Sequence, residues 1–186
     1  MMNPFQFTAM TANYAQCIVR WKYDGVYAFY DYDKEANHIL DTKQWGNTLF
    51  AVLDKSNDLV GELTLGFLDA SDEWVPMPDM DNCHLEGCIL WIGFGLRPDL
   101  TGRGHGLSFV NACVEFATSF SRKRYHYTGQ YIGLGVYQFN QRAIKVYERI
   151  GFAKYYEGCS LINGKEYKTQ RMKKNIDNMN CDSEIA

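Results

Sequence analysis

Three glycines at alternate positions, Gly102, Gly104 and Gly106, stand between an apolar run, Ile89–Leu96, and the opening of a helical pattern. Arg103 and His105 fill the places between them. Glycine takes backbone conformations closed to other residues and lets a ligand approach the main chain. The first amides of a helix have no partner within it and point forward. Together these features make a cradle for phosphate, with Arg103 adding a cation. The spacing is not the dinucleotide fingerprint, and it lacks the Gly-Lys-Ser/Thr ending of a Walker loop. A second segment, Asn140-Gln141-Arg142-Ala143-Ile144-Lys145-Val146-Tyr147-Glu148-Arg149-Ile150-Gly151-Phe152, follows a strand pattern. It reads as an Asn-capped helix that carries a tyrosine and closes on Gly-Phe.

The pair of segments resembles the GNAT superfamily of acetyl-CoA-dependent N-acetyltransferases. The family's pyrophosphate loop is usually Arg/Gln-x-x-Gly-x-Gly/Ala, and Thr101, Gly104 and Gly106 occupy those places, with Thr101 departing from the usual residue. The family's Asn-x-x-Ala-x-x-x-Tyr-x-x-x-Gly-Phe pattern falls on Asn140, Ala143, Tyr147, Gly151 and Phe152. The resemblance implies acetyl-CoA as co-substrate and no metal. It also implies direct attack of a primary amine on the thioester within a ternary complex. The implied cofactor residues are Gly95, Leu96, Thr101, Gly102, Arg103, Gly104, His105, Gly106, Leu107, Asn140, Ala143 and Tyr147. The strand around Gly95 and Leu96 splays from its neighbour in this family. Gly93 and Gly95 suit such a place, since glycine within a strand marks a bulge or a close approach.

Tyr147 is the implied general acid, because a phenol can protonate a departing thiolate. Without the motif it would read as a core tyrosine. Many relatives carry an acidic base on the central strand two residues before a glycine, and here that position is Trp91. The base therefore lies elsewhere: Glu62, Glu86 or a water chain. Glu62 alternates with apolar neighbours and reads equally as a solvent-facing strand residue. The same absence keeps a second function open, a catalytically weak acyl-CoA-binding module.

The supporting elements follow from composition and periodicity. The chain has 186 residues, 46% apolar and 15% aromatic, with a net charge of −3. That suits one packed domain and gives no basic face for nucleic acid. No run is long enough to cross a bilayer, and the start lacks the pattern of a secretion signal, so a cytoplasmic monomer or homodimer is expected. Cysteines at 17, 83, 88, 113, 159 and 181 form no C-x-x-C pair, and the Cys83-His84, Cys88 cluster has no second ligand pair at zinc spacing. Strands are expected at 5–8, 49–53, 60–67, 89–96 and 132–136, with a closing hairpin, 153–158 and 166–173, turning at Asn163-Gly164. Helices are expected at 11–22, from Gly104 to about Phe120, and in the Asn140 segment. This order predicts an α/β (α+β) fold. The resemblance implies a single GNAT-like domain over residues 1–174, with a mixed sheet of six or seven strands and helices on both faces, and the polar residues 175–186 are expected as a loose tail.

The amine acceptor, a small molecule or a peptide, is placed by charge. Residues 69–86 hold Asp69, Asp72, Glu73, Asp79, Asp81 and Glu86 with no Lys or Arg, interleaved with Trp74, Met77 and Met80. Carboxylates beside aromatic faces suit a cationic amine, and a solvated acidic loop is the plainer alternative. The aromatic stretch Trp21–Tyr32 lies in the region the family places beside the same site.

Overall fold

The computed structural model describes residues 4–32, 36–76 and 85–177. Within them the order is β1 (Gln6–Ala9), α1 (Ala12–Val19), a 3-10 turn (Gly25–Tyr30), α2 (Ala36–Leu40), β2 (Leu49–Leu53) and β3 (Leu59–Leu68). Then follow β4 (Ile89–Leu96), α3 (Gly106–Tyr125), β5 (Tyr131–Tyr137), α4 (Gln141–Arg149), β6 (Ala153–Ile162) and β7 (Lys165–Asn175). The strands form one sheet in the order β1-β2-β3-β4-β5-β7-β6. All neighbouring pairs are antiparallel except β4 and β5, which run parallel. Among the described residues no helix is long and apolar enough to cross a membrane.

Each face of the sheet has its own core. Phe50, Leu63, Leu65, Phe67, Leu90 and Ile92 pack under α3 and α4, against Phe109, Cys113, Ala117 and Ile144. On the opposite face Leu49 and Ala51 meet Ala15, Ile18, Trp21 and Ile39 of the α1–α2 region. The alternation Glu62, Leu63, Thr64, Leu65 predicts a half-buried strand, but β3 is buried on both faces. The pattern reports only the apolar side. The polar side is covered by a segment distant in sequence.

Helix boundaries move for local reasons. Helix α3 starts at Gly106 and not Gly104, because Gly102 and Gly104 hold φ of +73° and +86°, outside the helical region. It runs on to Tyr125 because Tyr125 is buried, its hydroxyl donating to the Asn47 carbonyl at 3.1 Å, and three basic residues suit the helix's negative end. Helix α1 ends at Val19, with Trp21 still packed in the core. At the end of the described chain β7 reaches Asn175 and Ile176 is fully buried, so ordered packing passes the expected limit at 174. The remainder of the expected tail, Met77, Asp79, Met80, Asp81, Cys83, His84 and the Glu86 side chain lie outside the described residues.

Tyr127 fixes the start of the parallel pair. Its buried hydroxyl accepts from the Leu90 amide at 3.1 Å and faces the carbonyls of Cys88 and Tyr131 at 2.9 and 2.7 Å. Burial pushes this phenol up to about 12, so it stays a donor. Tyr127→Phe orphans buried backbone groups and should cost about 1–3 kcal/mol. In urea the midpoint should fall while the slope m stays unchanged.

Candidate active site

β4 and β5 are paired only at Ile89–Tyr131, Leu90–Ile132 and Trp91–Gly133. Beyond Trp91 the strands part, and β5 continues on β7 alone. The Arg97 amide donates to the Val60 carbonyl at 2.8 Å. In an antiparallel ladder without a register shift this aims the amides of Gly93 and Gly95 at β3. Those of Phe94 and Leu96 then face the gap that β5 has left.

A cleft of about 1550 Å³ runs through this gap. Glu62, Tyr147 and every cofactor residue named from the sequence except His105 line it. His105 is exposed at the cap of α3, where its carbonyl accepts the first helical bond from Phe109 at 3.0 Å. The amides of Gly106, Leu107 and Ser108 precede that bond and have no intrahelical acceptor. A side chain at Gly104 would meet nothing within 4 Å, so the loop is open toward the cleft. Thr101 turns its hydroxyl back to the Pro98 carbonyl at 2.8 Å. Its side chain therefore holds the loop's shape. Asn140 caps α4 by accepting from the Ala143 amide at 3.2 Å, and its Nδ2 donates to the Tyr30 hydroxyl at 3.4 Å.

Glu62 is not the solvent-facing residue that alternation allows. It is 4% exposed and sits opposite Gly95 on the α1–α2 face. Burial pushes its carboxyl up to about 7, against hydrogen bonds from Tyr32, Thr64 and the Gly95 backbone. The Tyr32 hydroxyl donates to Oε1 at 2.8 Å and Thr64 Oγ1 to Oε2 at 3.2 Å. A methyl group on Gly95 would run into the Tyr32 hydroxyl, so the glycine makes room for this contact.

Tyr147 lies on the other face. Its ring packs edge-on to Phe94 at 5.8 Å, and Phe94 stands opposite Leu63 on the α3 side. Burial raises its phenol well above the usual range, with Tyr30 and Cys113 adding to the effect. Glu62 and Tyr147 thus reach one gap from opposite faces of the sheet.

Several lining residues carried no signal in the sequence. The 3-10 turn closes one end of the cleft, where Phe29 and Tyr30 pack on Tyr137 and Phe139. Tyr23 donates to the Leu96 carbonyl at 3.0 Å, and Asp31 holds the turn by accepting from the Tyr23 amide and pairing with Lys22. Arg142 stacks on Tyr27 at 4.1 Å, donates to its hydroxyl and reaches the Gly102 backbone. His38 contacts Thr64 at 3.1 Å. Only the aromatic density of residues 21–32 pointed this way.

Only residues 69–76 and 85–86 of the acidic segment fall among the described residues. Asp69 accepts from the amides of Ser71 and Glu73, and Asp72 pairs with Arg171 at 3.0 Å. A cation 99 places away neutralises a carboxylate that seemed free. Trp74 does line the cleft, its ring lying on Gly66. Trp91 spreads over Gly133 and Gly135.

The raised Glu62 pKa has a definite sign for stability. Below 4.5 the carboxyl is neutral whether folded or unfolded. From 4.5 to about 7 the unfolded chain ionises first, so folding is increasingly opposed, and above 7 the full cost, about 3 kcal/mol, remains. Glu62→Gln should raise Tm clearly at pH 8 and hardly at pH 4, in thermal melts at both pH values.

The sequence profile described as the acetyltransferase (GNAT) family matches residues 13–152. No curated protein matches the chain. Among solved structures, a chimera of spermidine N-acetyltransferase SpeG from Vibrio cholerae and hSSAT superposes with a TM-score of 0.63. It has 18% identity, over 92% of this chain and 95% of that one. SpeG from Vibrio cholerae in complex with manganese ions gives 0.62 at 17% identity, over 97% and 98%. A protein described provisionally as a phosphinothricin N-acetyltransferase gives 0.61 at 11%, over 92% and 98%. At these identities the likeness establishes the shared fold. The match over three quarters of the chain establishes the family: this protein belongs to the GNAT acetyltransferases and is an acyltransferase.

Proposed function

We propose that the protein moves an acetyl group from acetyl-CoA to a primary amine by direct attack, with Glu62 as base and Tyr147 as acid. The observation that carries this reading is the pair of groups on opposite sides of the β4–β5 gap. An amine enters on the Glu62 face, and the sulfur leaves on the Tyr147 face.

The residues present fit the donor. The loop 102–106 offers unpaired amides and an open floor for a pyrophosphate, with Arg103 and Arg142 beside it. Phe94 and Leu96 turn amides into the gap, where a thioester carbonyl would be polarised. When bound, acetyl-CoA supplies the activated acyl carbon.

Most amines are protonated at neutral pH. A carboxylate with a pKa of about 7 can remove the proton lost by the attacking nitrogen. Burial keeps Tyr147 protonated throughout this range, so it can donate to the departing sulfur. The amine reacts as the free base, its ammonium proton lost to solvent; the carbon–nitrogen bond forms as the carbon–sulfur bond breaks, Glu62 takes the proton that nitrogen then sheds, and Tyr147 gives one to the sulfur and regains one from water. The acceptor is a small-molecule or peptide amine. Spermidine, named for the SpeG structures, belongs in the first panel tested.

Acetyl-CoA should raise Tm by mass action, and Gly104→Val should abolish the shift without unfolding the protein. An unchanged shift in that variant would rule out the loop as the phosphate site. Tyr147→Phe should lower kcat by roughly 10²–10⁴ with little change in acetyl-CoA affinity. The wild-type rate should climb with pH through about 7 as Glu62 ionises, and Glu62→Gln should lose both the rate and that limb. Thermal protection without thiol release for any amine would instead support the binding-module reading.

A further inference from the structure

A buried base that gains a proton in each turnover must lose it before the next. Glu62 is nearly sealed, and both of its oxygens are engaged. The two hydrogen-bond branches end differently. The Tyr32 branch continues to Tyr23, whose hydroxyl donates to the Leu96 carbonyl. A carbonyl has no proton to pass on, so this branch ends on a main-chain oxygen, although Tyr23 and Tyr32 also line the cleft. The Thr64 branch continues to His38, with Nε2 at 3.1 Å from Oγ1. His38 stands on α2, is half-buried and lines the cleft. A hydroxyl both donates and accepts, and an imidazole can take a proton on one nitrogen and release one from the other.

We propose that Thr64 and His38 carry the proton from Glu62 to solvent, with His38 as the exit. This rests on Glu62 acting as the base. Protonated Glu62 gives its proton from Oε2 to Thr64 Oγ1, while Thr64 gives its own to His38 Nε2. His38, briefly an imidazolium, releases the Nδ1 proton to water; the ring then turns Nε2 outward, loses that proton to water and takes one back on Nδ1, which restores the starting tautomer. No oxidant or further reactant is needed.

The charges around His38 favour that transient cation. Among the described residues, Glu62 and Tyr32 stand behind Thr64, and Asp41 at the end of α2 interacts electrostatically with the imidazole. Helix α1, packed on α2, brings Tyr14 and Cys17 as its titratable side chains. Two carboxylates therefore stand near the exit, Asp41 with Lys43 beside it.

Thiol release from acetyl-CoA is measured with spermidine, phenethylamine or alanyl-alanine, whichever turns over fastest. Thr64→Val should lower kcat about 10-fold or more, with KM for acetyl-CoA moving less than about 2-fold. Thr64→Ser should restore kcat. His38→Ala should fall comparably and recover with added imidazole, which a packing role would not produce. A second readout needs no acceptor: in an NMR titration, Glu62→Gln should lower the His38 midpoint by about 0.5 unit, because it removes a nearby anion. Wild-type kcat in both Thr64→Val and His38→Ala, with Glu62→Gln inactive, would overturn the path and leave Glu62 as the base. Full activity in Glu62→Gln would overturn both readings. An unmoved His38 midpoint would overturn the path by itself.

Discussion

β4 and β5 run parallel through three register pairs and separate at Trp91–Gly133. Tyr127 ties the paired end, bridging Leu90, Cys88 and Tyr131 through one hydroxyl. Past that point β4 keeps its ladder with β3, and β5 keeps its ladder with β7. Each strand is held straight by its outer neighbour, so the gap between them cannot close by local adjustment. An unpaired amide in the middle of a sheet is costly, and this fold leaves two of them facing a cleft. The glycine loop, α3 and α4 stand where they do because they continue from the two parted strands.

The gap joins the two faces of the sheet, and the faces are chemically unlike. On the α3–α4 side Tyr147 sits among Phe94, Phe152 and other rings. On the α1–α2 side the sheet carries glycines, Thr64 and a buried carboxylate, under Tyr32 and His38. The carboxylate opposes folding above pH 7, and its neighbours offset only part of that. A group held at such a cost, beside a cleft, belongs to the class in which function and stability pull apart.

Local chemistry was legible in the sequence; assembly across the chain was not. The glycine loop and the Asn140 cap declare themselves within a few residues, because positive φ and end-capping are local demands. The Asn163-Gly164 hairpin followed equally simply. Glu62 stayed ambiguous because strand alternation reports the apolar side, while its cover comes from Tyr32, thirty residues upstream. His38 sits on a five-residue helix, too short to show a period. Asp72 looked unpaired because Arg171 reaches it only once β7 has folded back along the sheet.

Trp91 shows how narrowly this arrangement can vary. Its ring rests on two glycines of the adjacent strand, 2.8 Å from where a side chain on Gly133 would begin and 3.4 Å from one on Gly135. The guanidinium of Arg171 lies 5.7 Å from its centre. Replacing Trp91 with a carboxylate would widen the cleft over a glycine floor and set an anion near Arg171. Enlarging Gly133 first would collide with the indole, whereas a methyl group on Gly135 would only touch it. Positions 91 and 133 are therefore coupled. The size of the side chain at 91 thus fixes the smallness of the one at 133, a constraint carried across the last pair before the strands part.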